Sequence, residues 1–189
     1  MSEMSKELNL PNKLTILRIF AIPVFLVILY YDKSYFNVIA CILYTIAALT
    51  DYVDGYIARK YNLVTDLGKI LDPVADKILV AATMIALVEM GRLEGAVVML
   101  ILARDFAMGA LRNVASSKGV IIAAGKMGKW KTAFQMVGVG MIIFKNELFG
   151  VDIMMIGKIL VYISLVLSVY SAVQYFNSYY GKEDEQSTD

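Results

Sequence analysis

The sequence predicts an all-α fold, a small polytopic membrane protein with six transmembrane helices, and three observations carry that expectation. Hydrophobic residues make up 59% of the 189-residue chain, and mean hydropathy is +0.64; an ordinary soluble domain is closer to about half apolar. The apolar residues gather into six runs parted by short polar stretches. In lipid the backbone must satisfy its own hydrogen bonds, so such runs have to be helices.

Each crossing needs roughly 20 helical residues. The first run is Ile16 to Tyr31 and the second Tyr35 to Ile57, which ends in charged residues that count as helix. The third is Lys69 to Met90 and the fourth Gly95 to Leu111. The fifth, Thr132 to Phe144, is short and borrows Lys129 to Lys131 at its start; the sixth is Ile153 to Asn177. The polar N-terminal stretch MSEMSKELNLPNKLT lacks the basic region and cleavage site of a secretory signal. It is expected to be retained, as a short helix lying along the membrane surface. Residues 1–180 are expected to form one membrane domain, and 181–189, GKEDEQSTD, a disordered acidic tail.

Basic residues divide unevenly between the two ends of these runs. Lys6, Lys13, Arg18, Arg59, Lys60, Lys69, Lys77, Arg112, Lys118, Lys126, Lys129 and Lys131 fall on one side. The other has only Lys33, Arg92, Lys145 and Lys158. The positive-inside rule then puts both termini in the cytoplasm of a multi-pass protein of the cell's inner membrane. The net charge of +1 gives no reason to expect a nucleic-acid partner.

Two absences narrow the chemistry. With no histidine, a Ser-His-Asp triad, a His-ligated zinc and an imidazole base are excluded. The single Cys41 allows no internal disulfide or cysteine metal cage and reads as a packing residue. Proton transfer has to use a carboxylate, Lys, Tyr or that cysteine.

Two acidic clusters stand at the cytoplasmic ends of the second and third runs: DYVDGYIAR (Asp51 to Arg59) and GKILDPVADK (Gly68 to Lys77). At about 100° per helical residue, Asp51 and Asp54 lie about 60° apart, with Gly55 and Ala58 near the same face. Gly68, Asp72 and Asp76 recur every four residues, again on one face. Pro73 either kinks this helix or begins a new one capped by Asp72. Ionised residues within membrane segments are expensive unless paired or used. Four short carboxylates with small residues between them suit hard divalent cations such as Mg²⁺, Mn²⁺ or Ca²⁺. Carboxylate-held ions in enzymes usually face phosphate, often as a two-metal clamp, and Arg59 adds a planar fork for a phosphate oxygen. Chemistry on a diphosphate at the membrane surface is the resulting expectation.

The run Asp51-x-x-Asp54-Gly55-x-x-Ala58-Arg59, eight residues, then Gly68-x-x-x-Asp72-x-x-x-Asp76 resembles the signature of the CDP-alcohol phosphotransferases at all eight positions. The resemblance implies six transmembrane helices, a divalent-metal site with two Mg²⁺ or Mn²⁺ ions at the cytoplasmic face, and a homodimer. It implies Asp51, Asp54, Asp72 and Asp76 as metal ligands and Asp76 as general base. Gly55, Ala58, Arg59 and Gly68 would surround the CDP moiety. PNKLTILRIFAIP, LDPVADK, Arg104-Asp105, Leu111-Arg112 and GKWKTAFQ are similar to bacterial members that transfer a phosphatidyl group to glycerol-3-phosphate. Asp105 departs from the glutamate expected there, with the charge kept.

That resemblance implies CDP-diacylglycerol and glycerol-3-phosphate as partners, within membrane lipid, giving phosphatidylglycerophosphate and CMP. Arg112, Lys129 and Lys131 are the stronger candidates for the acceptor phosphate, with Arg104 and Lys126 beside them. Arg104 could instead pair with Asp105, and Lys118 reads as a headgroup contact. Asn12 and Thr15 either reach the cytidine or cap the first helix. Rival readings are a same-family transferase for inositol phosphate, serine or an amino-alcohol, an intramembrane prenyltransferase, and a cation carrier. The prenyltransferase needs more helices than this chain supplies, and a carrier should hold its carboxylates near the bilayer midplane.

Overall fold

The structure, a computed structural model, describes residues 10–60, 65–117 and 126–186. Within those stretches the side chains of 10–11, 51–59, 66–67, 69–73, 76, 116–117, 126 and 178–186 lie outside the description. The described residues form six helices: α1 (Leu10–Tyr30), α2 (Ser34–Lys60), α3 (Asp66–Glu89), α4 (Gly95–Ser117), α5 (Lys126–Phe144) and α6 (Ile153–Gln186). One two-stranded hairpin, β1 (Glu147–Leu148) and β2 (Val151–Asp152), joins α5 to α6. A helix stands over every apolar run of the sequence. Two stretches, Asn12–Tyr30 and Ile153–Asn177, are long and apolar enough to cross a membrane, and Ser34–Thr50 is a shorter apolar helix.

Several boundaries differ from expectation; α4 runs on to Ser117 and α5 begins at Lys126. α1 begins at Leu10 rather than Ile16, because PNKLT carries no residue that stops a helix once Pro11 is in its first turn. Residues 1–9, where a surface helix was expected, lie outside the described residues. α3 runs unbroken across Pro73 from an N-cap at Thr65, so Asp72 does not start a new helix. α6 continues through Gln186, past Gly181 where a tail was expected to begin. Apart from Gly181, the residues there are ones with modest or no helix penalty.

The helices close into a ring in the order α1, α2, α5, α6, α4, α3 and back to α1. Leu29, Met84, Leu87, Ile101, Val139, Ile142, Ile143 and Val161 fill its interior with almost no exposure. α5 and α6 make the most extensive contact, and two glycines permit it. A Cβ on Gly138 would lie 2.8 Å from the carbonyl oxygen of Gly157, and one on Gly157 2.7 Å from that of Gly138. The outer surface is the reverse of a soluble protein's. Phe20, Val24, Met99 and Val166 are more than three-fifths exposed, while Asn12, Thr15, Arg18, Asn37, Thr83 and Gln135 are buried. An apolar solvent outside and polar side chains meeting each other inside is the arrangement lipid imposes.

At the end of the ring bearing the α1–α2 and α3–α4 connections, a buried cation ties three segments together. The Arg92 guanidinium donates to Asp32, to Asn37 Oδ1 at 2.9 Å and to the Ile143 carbonyl at 3.2 Å. Lys145 adds bonds to both Asp32 oxygens at 2.9 and 3.0 Å. On the same side, Lys158 faces Glu94 at 3.7 Å. Arg92 and Lys145 thus share the Asp32 carboxylate and Lys158 faces Glu94, so these cations are partly offset by local carboxylates. Partial burial pushes the Asp32 carboxyl up, but Lys145, Arg92 and Asn37 together outweigh it and hold it below its ordinary value. A carboxyl lowered in the folded state stabilises above its unfolded value near about 4, and that stabilisation is lost as pH falls through the folded value. Asp32 has a positive φ of 44°, which asparagine tolerates. Asp32→Asn is therefore expected to lower the unfolding temperature at neutral pH in detergent. The difference from the unsubstituted protein should begin to shrink as pH falls below about 4 and vanish only below the lowered folded-state value, as followed by circular dichroism.

Candidate functional site

The two acidic clusters come to the same end of the ring, opposite Arg92, on adjacent helices. Asp51, Asp54, Gly55, Ala58 and Arg59 lie on the last turns of α2, and Asp72 and Asp76 on the first half of α3. α2 and α3 are in contact. The side chains of these seven residues lie outside the described ones. Because α3 is continuous, positions 68, 72 and 76 fall within about 80° of one another around its axis. Among the described residues no cluster of three His, Cys, Asp or Glu could hold a metal. The four aspartates themselves are a hard-oxygen donor set that fits Mg²⁺ or Mn²⁺.

Gly68 is the described member of the signature, and its surroundings explain its identity. A Cβ there would lie 2.6 Å from Asn12 Oδ1 and 3.2 Å from Thr65 Oγ1. Only a glycine lets the amide of Asn12 rest on the α3 backbone. Thr65 caps α3, its hydroxyl oxygen accepting from the Gly68 amide at 3.1 Å. The same oxygen accepts from Asn12 Nδ2 at 2.6 Å. Asn12 and Thr15 are both buried inside α1, which removes the reading of either as a helix cap. The start of α1 is thereby fastened to the start of the helix that carries Asp72 and Asp76.

Of the expected acceptor cations, two are joined by one carboxylate. Lys131, buried on α5, donates to both Asp105 oxygens at 2.6 Å. Arg104 donates to Asp105 at 3.2 Å, to the Ser168 carbonyl at 2.9 Å, and to the Ser171 hydroxyl. The alternative in which Arg104 pairs with Asp105 is the observed one, and α4, α5 and α6 meet there. Arg112 is exposed on α4 with its guanidinium carbon 5.8 Å from the centre of the Tyr175 ring. Lys129 is exposed on α5, and the Lys126 side chain lies outside the described residues.

An apolar groove of about 380 Å³ runs between α1 and α2, lined by Leu14, Leu17, Phe25, Leu43 and Ile46. It reaches Arg18 and Thr50, the residue before Asp51.

A helical ring with an apolar exterior, a paired-aspartate motif and an apolar groove beside it are the features of a membrane-protein class. The model of the CDP-alcohol phosphatidyltransferase family matches residues 8–170, and the chain belongs to that family. A protein of Rickettsia typhi named CDP-diacylglycerol--glycerol-3-phosphate 3-phosphatidyltransferase is 37% identical over 171 residues, covering 90% of this chain and 96% of the relative. One of Bacillus subtilis with the same name is 38% identical, covering 89% and 94%. An Arabidopsis thaliana protein whose name adds only the number 2 is 35% identical, covering 90% and 79%.

Thr65 and Tyr175 were not singled out from sequence. A threonine three residues before a buried glycine at the start of an apolar helix is an N-cap signal that could have found the first. Nothing local marks the second, whose partner is 63 positions away. Thr65→Val is expected to destabilise the protein by about 1 kcal/mol through loss of the cap, with Thr65→Ser close to wild type. Thermal unfolding in detergent reads both.

Proposed function

We propose that this chain transfers the phosphatidyl group of CDP-diacylglycerol to glycerol-3-phosphate, releasing phosphatidylglycerophosphate and CMP. The observation that carries this is the complete signature on adjacent helices, with Asn12 and Thr65 converging on its Gly68. The names of the relatives point to the same donor and acceptor. A transferase for a different alcohol or a cation carrier is not favoured. Six membrane spans, a homodimer, cytoplasmic termini and an inner-membrane location complete the reading. Its support is that each of the six described helices has at least 19 residues, about 28 Å of rise, and that Arg92, Lys145 and Lys158 at the opposite end meet carboxylates locally.

In this reading Asp51, Asp54, Asp72 and Asp76 hold two divalent ions, which supply neutralisation of the diphosphate and of the leaving CMP. Asn12, Thr15, Gly55, Ala58, Arg59 and Gly68 bound the nucleotide. The acyl chains follow the α1–α2 groove into lipid. Asp76 takes the proton of the acceptor's 1-hydroxyl as its oxygen bonds the β-phosphorus and the bond from that phosphorus to CMP breaks. Arg112 and Lys129 bind the acceptor phosphate, with Lys131 held in place by Asp105 and with Lys126 and Arg104 alongside.

Purified protein given CDP-diacylglycerol, glycerol-3-phosphate and Mg²⁺ or Mn²⁺ should release CMP, and chelation should stop it. Release with inositol phosphate or serine alone would reassign the acceptor, and none with any acceptor would revive the carrier. Asp76→Asn should reduce turnover by roughly 10² to 10⁴ or more, and near-normal turnover would remove the base. Arg112→Ala should raise the KM for glycerol-3-phosphate far more than that for CDP-diacylglycerol.

A further inference from the structure

We propose that Lys77 is a further acceptor-binding cation, working with Arg112 to hold the phosphate of the incoming alcohol; this rests on the reaction proposed above. Lys77 follows Asp76 directly, so their Cα atoms are about 3.8 Å apart. Its side chain crosses from α3 to α4, where a Cβ on Gly109 would stand 2.7 Å from its nitrogen. Gly109 is therefore the gap in α4 that admits the ammonium. The nitrogen also lies 6.0 Å from the centre of the Phe106 ring. Phe106, Gly109 and Arg112 recur every three residues, the spacing of neighbours on one helical face. Arg112 stands about 4.5 Å farther along the axis than Gly109.

The charge balance separates these two cations from their neighbours. Arg104 and Lys131 both contact the Asp105 carboxylate. Among the described residues, neither Lys77 nor Arg112 has a carboxylate within ion-pair distance. Their described contacts are aromatic faces, Phe106 and Tyr175. A ring attracts a cation through its quadrupole and leaves N–H donors available. Both residues are exposed, so an oxyanion can reach them. Lys77, next in sequence to the proposed base and reaching Gly109, and Arg112, one turn along α4 from that glycine, each lie near a ring and together make a seat for a dianionic phosphate monoester. A neutral alcohol would gain nothing from it, which makes Lys77 a determinant of acceptor choice.

The test compares Lys77→Met and Lys77→Arg in the intact protein in detergent–lipid micelles, varying each substrate separately. Lys77→Met should raise the KM for glycerol-3-phosphate roughly ten- to a hundredfold, with the KM for CDP-diacylglycerol and the unfolding temperature little changed. Lys77→Arg should recover most of that loss. Gly109→Ala, which keeps the charge but crowds the ammonium, should shift the same KM in the same direction by less. A raised KM for CDP-diacylglycerol alone would assign Lys77 to the donor's diphosphate and overturn the proposal. An equal fall in all parameters with lost thermal stability, or no change at all, would also overturn it. Failure of the unsubstituted protein to use glycerol-3-phosphate would overturn the reaction itself, and Lys77 with it.

Discussion

An ionised side chain removed from water has to meet an opposite charge or be held for a task, because leaving it alone costs several kcal/mol. The charges of this chain divide along that line. Arg92 is sealed by Asp32, Asn37 and helix-end carbonyls, and Lys131 is clasped by Asp105. These pairs join segments distant in sequence and hold the ring at its two ends. Four aspartates of the two acidic clusters lie on the adjacent helices α2 and α3. Their mutual repulsion is what a divalent cation would relieve, so one physical rule both assembles the ring and motivates the proposed site.

Placement of the site follows from the first turns of two helices. Asn12 on α1 rests against Gly68 on α3, and Thr65 bonds both. Moving α1 relative to α3 would break this junction, so the apolar groove beside α1 keeps a fixed relation to the aspartate-bearing helix. A lipid whose tails lie in that groove has its head carried toward Thr50 and Asp51. Binding and chemistry are thereby connected through backbone position.

Much of this was legible in the sequence because lipid leaves few structural options. Apolar runs had to be helices, and all six stand where the runs are. The aspartate spacing was legible because it repeats with the helical period. Pro73 left two readings open, since its missing donor could have ended a helix; the Thr65 cap and the rest of α3 carry the helix across it. Long-range pairings were not legible. That Lys131 belongs to Asp105 and Arg112 to Tyr175 depends on how α4, α5 and α6 pack, and no local pattern encodes that packing. The functional weight of Lys77 was hidden for the same reason, as it emerges only once Gly109 is seen opposite it.

The central claim, that the aspartates of α2 and α3 together hold the metal against the donor's diphosphate, is tested most directly by Mn²⁺ electron paramagnetic resonance with phosphorus hyperfine detection. The protein loaded with Mn²⁺ and CDP-diacylglycerol should show protein-bound manganese coupled to ³¹P. Asp51→Asn and Asp72→Asn, one on each helix, should each weaken manganese binding sharply. Manganese bound with unchanged affinity in both variants, or without phosphorus coupling in the unsubstituted protein, would contradict it.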